Sequence, residues 1–169
     1  MAVDTYYFDT SDGGPTDTDG VFTNDANAFD GNTGTSSTTG GQGSTSSNFL
    51  MGEGTDAPSA GLTITQVRAR IYGGSPVSEI PMTATIFSDA LAESLGVVVS
   101  STTGGYGSYT TLSTPTGGWT WAGLQALEVK IYKNTASAGS TTVSRVEIEV
   151  TSDASGTPAA SPFNYIIGR

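Results

Sequence analysis

The 169-residue sequence contains no cysteine and no histidine, and its first 67 residues contain no lysine or arginine. Without cysteine there are no disulfides, thiolate metal sites, iron–sulfur clusters or cysteine nucleophiles. Without histidine the commonest general base, the commonest zinc ligand and every Ser-His triad are excluded, leaving carboxylates, Lys and Tyr for proton transfer. The chain is therefore read as non-enzymatic. Positive charge is scarce throughout, with six Lys or Arg against sixteen Asp or Glu and a net charge of −10. Nine of the acids (Asp4, Asp9, Asp12, Asp17, Asp19, Asp25, Asp30, Glu53, Asp56) lie in the base-free opening stretch. Such a surface repels phosphate backbones and anionic lipid, so neither a nucleic acid nor a membrane is expected as partner. Its acidic loops suit a cation or a basic protein surface. No apolar run reaches the length of a membrane span, and Met1-Ala2-Val3-Asp4 lacks the basic and apolar regions of a signal peptide, so no cleaved leader is expected.

Ser and Thr together number 48, Gly adds 23, and the apolar residues fall in short clusters bounded by turn formers. β-Branched and aromatic runs of that kind read as strands. The expectation is an all-β chain forming a single two-sheet β-sandwich of jelly-roll type, with strands near 3–9, 48–51, 62–72, 80–88, 96–101, 109–113, 124–133, 141–151 and 163–167. Leu127, Val129 and Ile131 alternate with Glu128, Lys130 and Tyr132, and Val146, Ile148 and Val150 alternate with Arg145, Glu147 and Glu149, so each strand offers one face to a core and one to water. Between Leu62 and Ile71 the alternation changes phase, which calls for a bulge near Gln66. If the two alternating strands form a hairpin, charge pairing selects the register with Lys130 opposite Glu147 and Val129 opposite Ile148.

The sandwich domain is placed at residues 1–152. It includes a long excursion over 13–47, rich in Gly, Ser, Thr and Asp, in which Val21, Phe22 and Phe29 are the candidate anchors. Residues 153–169 read as a Gly, Ser and Pro linker followed by Phe163, Tyr165, Ile166 and Ile167, an apolar cluster that suits docking on the domain or assembly with a neighbour.

Asp and Asn crowd the excursion, as turn formers or as oxygen ligands for a hard cation. Within it, Asn27-Ala28-Phe29-Asp30-Gly31-Asn32-Thr33-Gly34-Thr35 resembles the Ala-x-Asp-Gly-Asn-x-x-Thr phrase of discoidin-like, galactose-binding-like jelly rolls, and Glu147-Ile148-Glu149-Val150 resembles their closing strand. The resemblance implies a structural calcium held by Asp30, Asn32, Thr35 and Glu147. Where that pattern carries a Trp just after the Thr, this chain has Ser36 and Ser37.

Gly117-Gly118-Trp119-Thr120-Trp121-Ala122-Gly123-Leu124-Gln125-Ala126-Leu127-Glu128-Val129, with the later Val146-Glu147-Ile148-Glu149-Val150 and the opening Val3-Asp4-Thr5-Tyr6-Tyr7-Phe8, resembles segments of tailed-phage virion structural proteins. That resemblance implies a capsid decoration or fibre-type subunit, made in the host cytoplasm and displayed on the virion surface. Its implied partners are the major capsid protein or other virion subunits, and copies of itself in a homo-oligomer. Trp119 and Trp121 share one side if the stretch is extended, so they either form a stacking platform for a surface glycan or cap the core. Tyr106 and Tyr109, in a Gly-rich loop, are either further stacking residues or loop anchors. These four aromatics define the second reading, a carbohydrate-binding module. Glu147 and Glu149 share the outward face of one strand and make a poor glycosidase pair.

Overall fold

The computed structural model describes residues 1–10, 16–17, 21–39, 49–58, 60–77, 79–133 and 139–153. In chain order the elements are β1 (Ala2–Tyr7), β2 (Thr16–Asp17), β3 (Phe22–Thr23), a 3-10 turn (Asp25–Ala28), β4 (Ser37–Thr39), β5 (Leu50–Glu53), β6 (Thr63–Gly74), β7 (Met82–Phe87), a second 3-10 turn (Asp89–Leu91), β8 (Ser94–Val99), β9 (Gly105–Tyr106), β10 (Thr110–Thr111), α1 (Trp121–Gln125), β11 (Glu128–Lys133) and β12 (Thr141–Asp153). They form two antiparallel sheets packed face to face, an all-β sandwich. The expected strand at 163–167 lies outside the described residues.

The larger sheet is organised by its two long strands. β12 pairs with β6 along nearly its whole length, and its other edge carries β1 beside residues 147–152 and β4 beside residues 141–143. β9 and β10 occupy the far edge of β6, and β3 extends β4. The smaller sheet runs β2-β5-β11-β7-β8. Val67, Ala69 and Ile71 of β6 and Val146, Ile148 and Val150 of β12 point inward to meet Ala84, Ile86, Val129 and Ile131 of the smaller sheet, all at most 1% exposed. Burying each of these Val and Ile side chains contributes about 1.5–3 kcal/mol, and each Ala less.

The phase change in β6 has the expected cause. Thr151 pairs with Gln66 and Ser152 with Ile64, so Thr65 is the extra residue of a bulge that returns Ile64 toward the core. The expected β11–β12 hairpin is not formed: β11 belongs to the smaller sheet and β12 to the larger. Val129 pairs with Ile86 and Gly52, and the strand neighbours of Glu147 are Arg70 and Tyr7. A hairpin would keep the apolar face of each strand inward, and that condition is met equally when the two strands face each other across the core.

The excursion contributes structure of its own. Phe22 and Phe29 are 5% and 4% exposed, Val21 packs against the core, and β3 and β4 are short edge strands of the larger sheet. The Phe29 ring lies across Gly52 of β5, where an added Cβ would come within 2.3 Å of Cε1. The two sheets are joined at opposite margins. On one side Phe8 leaves β1 to bridge Thr55, and on the other Leu112 N–H bonds Val67 while Ser113 N–H bonds Leu95.

Substituting Gly52→Ala should therefore displace the Phe29 ring and destabilise the fold by about 1–3 kcal/mol. Gly61→Ala, where an added Cβ meets nothing within 4 Å, should change stability by less than about 0.5 kcal/mol. Urea denaturation of the two variants measures the contrast.

Candidate functional site

Two surfaces combine the sequence candidates with distinctive chemistry: the outer face of the larger sheet, and a cleft beside α1. On the first, strand alternation sends Arg68, Arg70 and Tyr72 of β6 outward beside Arg145, Glu147 and Glu149 of β12. The register sets Arg70 opposite Glu147 and Arg68 opposite Glu149. Arg68 Nε donates to Glu149 Oε1 at 2.9 Å, Arg70 Nε donates to Glu147 Oε1, and Arg145 Nη2 reaches Glu147 Oε2 at 2.8 Å. The loop around β9 folds over these charges. Tyr106 and Tyr109 donate their hydroxyls to Glu147 Oε2 and Oε1 at 2.8 and 2.7 Å, and their rings sit against guanidinium groups, Arg70 being 3.7 Å from the Tyr106 centroid.

Glu147 was expected on a watery face, yet it is 1% exposed. A buried carboxylate without partners costs several kcal/mol, and here four donors from four side chains meet that cost. Burial pushes its carboxyl up. Hydrogen bonds from Tyr109, Tyr106 and Arg70, with the Arg70 charge, more than reverse this and hold it below the usual carboxylate value. Burial and then the bond to Glu147 push the Tyr109 phenol up to about 12, and the same two causes raise Tyr106. The Tyr106 hydroxyl also accepts from Arg145, so it links the two charged groups. Both tyrosines are loop anchors whose hydroxyls are spent on one carboxylate.

Arg145 reaches further. Its Nη1 donates to the Gly31 carbonyl at 2.9 Å, tying the excursion to the sheet. Gly31 has φ of +69° and lies on the Tyr7 ring, so a side chain there would meet both strain and the ring. Asp30, Asn32 and Thr35 are indeed brought together: Asp30 accepts from the Asn32 N–H at 2.8 Å and from the Thr35 hydroxyl at 2.5 Å. Glu147 belongs to the arginine–tyrosine network, with Arg145 between it and this loop. Among the described residues no group of three or more Asp or Glu is placed to share a metal ion. Next to the network, a shallow groove of about 370 Å³ runs between Thr33–Ser36 and Thr103–Gly105, with Tyr72 and Ser144 in its floor.

The second surface holds the tryptophans. The stretch is not extended. Thr120 caps α1, its hydroxyl accepting from Gly123 N–H at 2.9 Å, and Trp121 begins the helix. Trp121 is 8% exposed, meets Tyr6 edge to face at 6.1 Å between centroids, and donates its indole N–H to the Leu62 carbonyl at 2.8 Å. It caps the core. Trp119 is half-buried and walls a cleft of about 660 Å³ with Leu62 and Ile64. Thus the four proposed stacking aromatics do not form one platform. Phe163, Tyr165, Ile166 and Ile167 lie outside the described residues.

The arginine network escaped the sequence reading, although its signal was present. Arg68-x-Arg70-x-Tyr72 and Arg145-x-Glu147-x-Glu149 are complementary at period two, and pairing those two strands would have assembled it.

Acid should test this network first. Because the folded carboxyl of Glu147 titrates below its unfolded value near 4.5, its contribution is complete above that pH and is lost as pH falls through the folded value. At the other end, Tyr109 ionises near 10 unfolded and about 12 folded, so stability falls as pH rises from 10 toward 12. Glu147→Gln should cost about 3 kcal/mol, the low end for a broken buried pair because both arginines keep some solvent, and should flatten the acid limb. Tyr109→Phe should flatten the alkaline limb. Thermal melts from pH 3 to 11 check both.

Comparison with protein families, curated proteins and solved structures finds no match to this chain.

Proposed function

We propose that the protein is a non-enzymatic structural subunit of a tailed-phage particle, of capsid decoration or fibre type, bound to the shell through protein–protein contacts. The observation that carries this reading is the outer face of the smaller sheet. Val97 and Val99 of β8 are 47% and 41% exposed on that face, beside half-buried Phe87, Tyr132, Met51 and Phe49. At its centre Lys130 lies 4.4 Å from the Phe49 centroid and 5.4 Å from that of Phe87, which spreads its charge over aromatic surface. A sheet face that sets exposed valines and half-buried aromatics among Thr83, Thr85, Glu53 and Glu128 fits another protein's surface better than a small molecule. The occupant assigned to it is a shell subunit of the particle. The acidic charge of the rest of the chain would steer it to basic patches on that shell.

The carbohydrate-binding reading with a structural calcium keeps one specific support, the exposed part of Trp119. Its other aromatics are engaged: Tyr106 and Tyr109 with Glu147, and Trp121 with Leu62. Calcium at the Asp30 loop would raise the melting temperature by mass action.

Replacing Val97 and Val99 together by Asp should weaken association with purified particles at least tenfold, as loss of an interface anchor does, while the melting temperature stays within a few degrees. Absence of the wild-type chain from such particles would overturn the proposal. Binding on a glycan array that disappears in Trp119→Ala would favour the carbohydrate reading instead.

A further inference from the structure

The cleft beside α1 has an unusual position relative to the path of the chain. β12 ends at Asp153, whose strand neighbour is Thr63, and Ser152 pairs with Ile64. Thr63 and Ile64 are themselves part of the cleft wall, with Leu62 next to them and Trp119 opposite. The chain therefore passes the rim of the cleft as it leaves the sandwich.

The cleft has no charged and no carboxamide side chain. Its polar side-chain groups are the Thr63 and Thr120 hydroxyls and two indole N–H groups, of which the Thr120 hydroxyl caps α1 and the Trp121 N–H is engaged with Leu62. A sugar site needs convergent polar groups as well as an aromatic face, and this cleft offers chiefly the face. Its volume of about 660 Å³ matches an apolar ligand of a few large side chains.

Such a ligand exists in the same chain. Residues 154–162 read Ala-Ser-Gly-Thr-Pro-Ala-Ala-Ser-Pro, without charge or large apolar groups, and Phe163-Asn164-Tyr165-Ile166-Ile167 follows. Nine linker residues of this type span roughly 17 Å on average, enough to turn back to a cleft that begins at the strand's own neighbour. Tethering of this length gives an effective concentration on the order of millimolar, above that of a second copy in dilute solution.

We propose that the Leu62–Ile64–Trp119 cleft is the receptor for the chain's own Phe163–Ile167 segment, held in place as an intramolecular apolar ligand. The assignment is independent of the particle reading, since it is made within one free chain.

The absence of native cysteine makes a cross-linking test clean. Gly61 borders the cleft and a Cβ there meets nothing within 4 Å, while Asn164 sits between the apolar anchors. The full chain carrying Gly61→Cys and Asn164→Cys, mildly oxidised, should give a cross-linked monomer on a non-reducing gel. Adding Phe163→Asp and Ile166→Asp should cut the yield about tenfold, because each removes a buried apolar side chain. A cross-link found only between two chains would assign the segment to a second copy and overturn the proposal, as would no cross-link or a yield indifferent to the aspartates. Tryptophan emission of the cysteine-free chain gives a second measurement. Phe163→Asp with Ile166→Asp should shift it to the red as Trp119 meets water, and an unchanged spectrum counts against the cleft.

Discussion

A carboxylate taken out of water must be neutralised where it lies, and the larger sheet is arranged around that demand at Glu147. Arg70 answers from the neighbouring strand, Arg145 from two residues upstream, and Tyr106 and Tyr109 from a loop that crosses above. Each partner brings its own segment with it. The β9 loop is pinned over β6, and through the second Arg145 nitrogen the Gly31 turn of the excursion is pinned to β12. Removing the carboxylate would leave two guanidinium groups facing each other with two phenols between them. The inner face of the same strand needs no such arrangement, because Val146 and Ile148 are satisfied by any apolar neighbour of suitable size. The strand is thus general on one side and specific on the other.

Much of the fold was legible because sheet formation follows local rules. Alternation identified β6, β11 and β12, the break in alternation located the bulge within one residue of its place, and three isolated aliphatic or aromatic residues marked where the excursion touches the core. The failures share a cause. β2, β3, β4 and β9 are two or three residues long, too short for a period to register, and they exist because a longer strand offers an edge. Strand partnership is likewise non-local: nothing within β11 or β12 states that β7 and β6 are their respective neighbours. The helix at Trp121 was hidden by a single side chain, the Thr120 cap, which converts a stretch that alternates like a strand into one helical turn.

The site was legible only in pieces. Tyr106, Tyr109 and Glu147 were each singled out, but for different chemistry, and what unites them is the register that places Arg70 beside Glu147. The tryptophans show the opposite case. Their closeness in sequence implied a shared role, whereas the turn between them buries one and leaves the other on a cleft wall. Spacing along the chain is a guide to function only after the backbone conformation is known.

The place of β12 in the sheet also bears on how the molecule is made. Ala2 pairs with Ser152, so β1 finds its neighbour only after about 150 further residues have been made. Until then β6 presents an open edge and an uncovered apolar face, β1 has no strand beside it, and β4 of the excursion lacks its partner. Contacts so distant in sequence slow folding and prolong exposure of aggregation-prone edges. The acidic, base-free opening stretch is well suited to that interval, because a nascent chain of like charge repels its copies while it waits for the strand that completes it.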